Sequence, residues 1–102
     1  NADNNAAFSI CYNKAIDDAW LELGKRNNAI FAWFKGDKGT TKAFSQEVVS
    51  WEIYQDAACE YYDQQPFFGS DHRAILGPRC TLKVIEDRIE LLDNQIANRD
   101  YE

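Results

Sequence analysis

Residues 51–62 read WEIYQDAACEYY, and a second cysteine follows at Cys80. Trp51, Tyr54, Asp56 and Cys59 sit in the first stretch, and Arg88 stands eight residues beyond Cys80 in an amphipathic tail. No residue in 51–62 breaks a helix, and Trp51, Ala58 and Tyr62 stand seven and four residues apart, on one helical face. The tail from Cys80 repeats its apolar residues at the same steps. Two long helices separated by a loop, with a cysteine on each, are the expected frame.

Working outward, Leu82, Ile85, Ile89, Leu92 and Ile96 alternate steps of three and four and form a packing seam. Cys80, Val84 and Leu91 are expected to widen that buried face. Lys83 and Asp87 are i,i+4 neighbours of opposite charge. The spacing predicts this last helix from Gly77-Pro78 to about residue 98, with Pro78 at a first helical position. Before it, 73–76 (RAIL) reads as a short helical turn, and 63–72 (DQQPFFGSDH) as a loop punctuated by Pro66 and Gly69.

Upstream, Thr40 or Thr41 is expected to cap a helix running to about Tyr62. Phe44, Val48, Trp51, Ala58 and Tyr62 share one face of it, with Gln55 in the middle of that face. Val49 and Ile53 fall on the opposite side, so this helix is either covered twice or carries an exposed apolar stripe. A first helix is predicted over 5–24, where Phe8, Cys11, Ala15, Ala19 and Leu23 line up, and Gly24 with KRNN weakens or ends it. The apolar run 29–34 (AIFAWF) is too short to classify by period, but its neighbours favour helix, and 36–39 (GDKG) is a turn. Period-two runs of β-branched residues are absent. The expectation is an all-α fold: a small bundle of three long helices plus one short helix, stapled by a disulfide.

The chain has 102 residues, 45% hydrophobic and 27% charged, which suits one domain over 1–102 with a single core. Residues 1–4 and 99–102 are expected to fray. Asn1-Ala2 reads as a cloning scar, and the opening NADNN shows neither the basic start nor the apolar stretch of a signal peptide. No apolar run approaches the ~20 residues of a membrane span, so membrane insertion is not expected. With 17 acidic against 11 basic residues the net charge is −6. Nucleic-acid binding rests on lysines and arginines neutralising phosphates, so nucleic acid is not an expected partner. A basic protein would be steered toward this chain.

Of the three cysteines, Cys59 and Cys80 are the preferred disulfide pair. A zinc site of four ligands would need all three plus His72, the lone histidine. The disulfide is worth about 3 kcal/mol in the chain-entropy picture and implies an oxidising compartment, periplasmic or extracellular. Cys11 is left as a buried hydrophobe, an intermolecular thiol or the mate of a cysteine outside this sequence, with burial the expected state.

Catalytic arrangements are weak. His72 stands beside Ser70 and Asp71 in a polar loop, which is adjacency and not triad geometry. Asp17, Asp18 and Glu22 read as the solvated face of a helix. No catalytic, metal or cofactor site is expected, and the chain is not read as an enzyme. Trp51 and Tyr54 are expected in the core. Asp56 and Arg88 form either an ion pair between the last two helices or two surface charges. Phe67 and Phe68 at the loop tip either fold back on the bundle or anchor a partner, and with Asp71 they are the candidate contact residues.

The pattern formed by Trp51, Tyr54, Gln55-Asp56, Cys59, Phe68-Gly69-Ser70, Cys80, Ile85 and Arg88 resembles the LprI-type lysozyme-inhibitor family of small exported bacterial helical domains. Cys11, Asp18 and Leu21-Glu22 extend the resemblance upstream, and it covers roughly residues 8–96. Four positions depart from the family's usual residues: Gln55 stands in place of arginine, Phe68 of glycine, Ile85 of threonine and Glu22 of asparagine. The resemblance implies a helical domain that binds a protein, with lysozyme inhibition by occlusion of the cleft of a basic lysozyme. The alternative is an immunity or adaptor protein for another secreted toxin or envelope partner, as monomer or dimer. Trp51, Tyr54, Asp56, Gly69 and Arg88 are then structural motif residues.

Overall fold

The computed structural model describes residues 2–63 and 70–99, with side chains for 10–62 and 76–99. Three long helices, α1 (Ala2–Trp33), α2 (Lys38–Ala58) and α3 (Ser70–Asn98), account for most of them, with one short 3₁₀ helix over Glu60–Asp63. The expected all-α bundle is the observed architecture.

The helices run up, down and up. α2 is antiparallel to α1, since Phe31 meets Phe44 and Trp20 meets Trp51 in edge-on ring pairs at 4.8 and 5.8 Å. α3 runs parallel to α1, because Arg26 of α1 reaches Asp93 while Trp33, farther along α1, lies under Arg99. The molecule measures 53 × 23 × 20 Å. At 1.5 Å per residue the 32-residue α1 alone spans nearly that length.

The core is the seam read from the sequence. Ile85 and Leu92 of α3 pack with Ala19, Leu23 and Ile30 of α1, and Leu82, Ile89 and Ile96 close against them. Phe44 and Trp51 bring α2 onto the same cluster. Leu91 is a correction: it stays half exposed at the edge of the seam.

Several predicted boundaries moved. α1 does not end at Gly24 or KRNN but continues to Trp33. Leu23 and Ile30 are seven residues apart and both buried, so breaking the helix between them would remove one from the core. Arg26 reinforces the same turn by bonding Asp93 at 2.9 Å and pairing with Glu22 at 3.4 Å. The cap of α2 is Asp37, not Thr40 or Thr41. Its carboxylate accepts from the Thr40 backbone N–H at 3.0 Å and from the Thr40 hydroxyl at 2.8 Å. Thr41 turns instead to the end of α1, its hydroxyl donating to the Phe34 carbonyl at 3.1 Å. Gly36, at φ +96°, takes the left-handed conformation that reverses the chain between α1 and α2.

α3 begins at Ser70, not at Gly77-Pro78, and absorbs both the 73–76 turn and the end of the expected loop. Pro78 therefore lies inside a helix, where it cannot donate to the carbonyl four residues back. It falls next to the Cys59–Cys80 disulfide, whose Cα atoms are 5.9 Å apart. The disulfide fixes α3 against the end of α2 where the helical hydrogen bonding of α3 is interrupted.

A candidate protein-binding face

Arg88 is the only arginine in the chain whose burial is nearly complete among the described residues, with its side chain 4% exposed. Its two terminal nitrogens donate to the two carboxylate oxygens of Glu47, a fork-to-fork pair between α3 and α2. Its guanidinium carbon also lies 5.5 Å from the Trp51 ring centre. Trp51 in turn packs edge-on against Trp20. One arginine thus ties all three helices, but its carboxylate partner is Glu47 and not Asp56, which is exposed. Glu47 is four residues before Trp51, and so on the same side of α2.

Trp51 is half-buried against the core, as expected, whereas Tyr54 is 60% exposed and is a correction. Tyr54 stands only about 60° around α2 from Trp51, at the edge of the face that Trp51 turns to the core, and its ring remains in solvent there. Phe67, Phe68 and Gly69 lie outside the described residues, and Asp71 is placed only by the backbone of the first turn of α3. Asp18 is exposed and pairs with Lys14 at 3.2 Å, whereas Glu22 is half-buried beside α3 and pairs with Lys25 at 3.0 Å and with Arg26 at 3.4 Å.

Cys11 is a free thiol and exposed, against the expected burial. The reason is helix length. α2 has 21 residues to the 32 of α1, and running back from the Phe31–Phe44 and Trp20–Trp51 contacts it ends near Asn13. The first turns of α1 project past it.

The two readings of Val49 and Ile53 are resolved as an exposed stripe. Val49 is 55% exposed and Ile53 67%, with Tyr54 beside them and the half-exposed Tyr61 farther along. Glu52, Asp56 and Glu60 are exposed among and beyond these residues. The charge around them is one-sided. Six of the 17 acidic residues and none of the 11 lysines and arginines fall within 43–72, so the rest of the chain balances at 11 of each sign. The whole net charge of −6 therefore resides in this one segment. The sequence contains that asymmetry in plain form, and counting charge over the entire chain conceals it.

Below the stripe, Gln55 occupies the inward row between Trp51 and Cys59 and is 9% exposed. It lines a cavity of about 320 Å³ with Asn13 and Ile16 of α1, Asp56, Cys59 and Glu60, and Gly77, Pro78 and Thr81 of α3. A wider hollow of about 790 Å³ lies toward the other end, between Trp33, Phe34, Phe44 and the last turns of α3.

Comparison with protein-family models, with curated proteins and with solved structures returned no match.

Proposed function

We propose that this chain is an exported protein-binding domain whose outer α2 face holds a basic protein, and that the partner class is the one its LprI-type resemblance implies, a lysozyme. The observation that carries the reading is the stripe of Val49, Ile53 and Tyr54 set among Glu52, Asp56 and Glu60. Exposed aliphatic and aromatic side chains supply the desolvated centre of an interface, and a charged rim steers and orients the partner. A rim of one sign selects a partner of the other. The Cys59–Cys80 disulfide supports an oxidising compartment, periplasmic or extracellular. No described helix is long and apolar enough to cross a membrane. Phe67, Phe68 and Asp71, in the sequence joining the 3₁₀ helix to α3 and its first turn, are proposed as further contacts.

The test is a cell-lysis assay with lysozymes of several classes and an excess of this protein. Inhibition at a one-to-one ratio, weakened by added salt, is the expected result. Val49→Asp with Ile53→Asp on the exposed face should abolish it while leaving the free energy of unfolding within about 1 kcal/mol of the parent, about 0.5 kcal/mol for each exposed change. Lysis unchanged for every class overturns the lysozyme reading. Capture of a basic toxin or envelope protein in the same preparation would then place the chain in the immunity or adaptor class.

A further inference from the structure

The outer row of α2 runs Lys42, Gln46, Val49, Ile53 and Asp56, and Glu60 follows at the start of the 3₁₀ helix. All six residues are exposed. Their steps are four, three, four, three and four, which keeps them on one side of a helix and reads the same from either end. The chemistry along the row does change from end to end. It passes from a cation through an amide and two apolar side chains to two carboxylates. A row with symmetric spacing and opposite charge at its two ends is complementary to itself turned end for end.

The order of charge is also the reverse of what a lone helix favours. The helix dipole favours anions in the first turn and cations in the last. α2 begins at Lys38, with no acidic residue in its first turn and no basic residue in its last, where Asp56 stands. Lys42, Asp56 and Glu60 form no ion pair within the chain among the described residues. The arrangement weakens α2 slightly, and no neighbour in the same chain offsets it. A second α2 laid antiparallel does offset it, because each cationic end then meets an anionic end.

We propose that the outer face of α2 is covered by α2 of a second copy of this chain, in an antiparallel two-fold pair. The axis passes midway between Val49 and Ile53. Val49 then faces Ile53 of the second copy, Gln46 faces Asp56 and Lys42 faces Glu60, and the two-fold makes each contact twice. The apolar pair supplies the desolvated centre, and the charged pairs set direction and register. A contact one helix wide falls below the roughly 1,200 Å² of a standard interface, so the pair is weak and exchangeable, with a Kd in the micromolar range. The pairing rests on the pattern of α2 and goes beyond the protein-binding reading without depending on it. Where both hold, the second copy is the resting occupant of the face, and a basic protein displaces it.

The experiment is sedimentation equilibrium of the full chain from micromolar to millimolar concentration at low salt. Cys11→Ser is carried throughout, which removes the exposed thiol as a route to crosslinked copies. The expected result is a reversible monomer–dimer equilibrium that weakens with added salt. Lys42→Glu alone sets carboxylate against carboxylate at both contacts, and Glu60→Lys alone sets ammonium against ammonium. Each should raise the Kd at least about tenfold. An equimolar mixture of the two variants should dimerise again, because every charged contact between them is once more of opposite sign. The melting temperature of each variant should match or exceed the parent's, since both changes follow the helix dipole. A chain that stays monomeric to millimolar concentration overturns the proposal. So does a dimer that neither reversal weakens, or a mixture that fails to restore it. Any of these failures leaves the lysis assay to decide the protein-binding reading, and lysis unchanged for every class leaves the pairing standing.

Discussion

Arg88 is buried and its partner Glu47 is half exposed, and this imbalance sets which substitution does harm. Removing the Glu47 charge leaves the buried guanidinium facing the Trp51 ring with no carboxylate partner among the described residues. Glu47→Gln is therefore expected to cost about 1–3 kcal/mol, well above a typical change at an exposed site. Denaturant unfolding checks it. Glu47→Gln combined with Arg88→Met should fall short of the sum of the two single losses, because the second change removes the stranded charge. A second residue-scale prediction concerns Asp37. The Thr40 backbone N–H, then the Thr40 hydroxyl, hold its carboxyl below the usual carboxylate range. A carboxylate lowered in the folded state stabilises above its unfolded pKa and loses that contribution as pH falls through the lowered value. Asp37→Asn should therefore melt below the parent near neutrality, and the gap should close in acid, below about the ordinary value of 3.8. A gap that widens as pH falls would contradict the cap. Neither Arg88–Glu47 nor the Asp37 cap was read from the sequence. The first joins positions 41 apart, which no local pattern reports. The second is visible in the segment Asp37-Lys38-Gly39-Thr40, an aspartate three residues ahead of a donor, but Thr40 and Thr41 offer the same capping chemistry three and four residues later.

At the scale of elements, the local signals that failed were the breakers. Gly24, Gly77 and Pro78 read as boundaries in the sequence, and each lies within a helix. Helix propensity is a small bias per residue, and the burial of Leu23 and Ile30 on either side of Gly24 outweighs about 1 kcal/mol of it. The signals that succeeded were periodic. Leu82, Ile85, Ile89, Leu92 and Ile96 all reach the core because a repeat over four turns fixes a face regardless of where the ends fall. The α2 stripe was legible as an alternative and needed the neighbouring helices to decide it. The place where a glycine does govern an element is Gly36. An added Cβ there meets nothing within 4 Å, so the cost of substitution is conformational alone. Gly36→Ala is expected to lose about 1–2 kcal/mol, and Gly36→Asn less, as measured by thermal melting.

For the whole molecule, a bundle 53 Å long and only about 20 Å thick has little interior per residue. Its largest fully buried side chains among the described residues are Ile85 and Leu92. A core of that size makes the Cys59–Cys80 bond a large share of the total stability. Reduction is expected to cost about 3 kcal/mol and to lower the melting temperature by about 4–8 °C for each of those kcal/mol. A melt unchanged by reductant would show that α2 and α3 hold together without it. The molecule is also divided electrically, with its net charge confined to 43–72 and the remainder neutral. Binding of a basic protein should then respond steeply to salt, because the attraction is local and exposed.

The disulfide has a further consequence that is topological. It closes residues 59–80 into a covalent ring that contains the 3₁₀ helix, Phe67, Phe68, Asp71 and the first turns of α3. A protease that cuts once inside this ring opens it without dividing the molecule. The nicked protein would migrate as one chain until reduced and as two afterwards, with α1 and α2 on one piece and the seam from Leu82 to Ile96 on the other. The segment carrying the candidate contact residues can thus be severed while the protein still leaves and returns as a single unit.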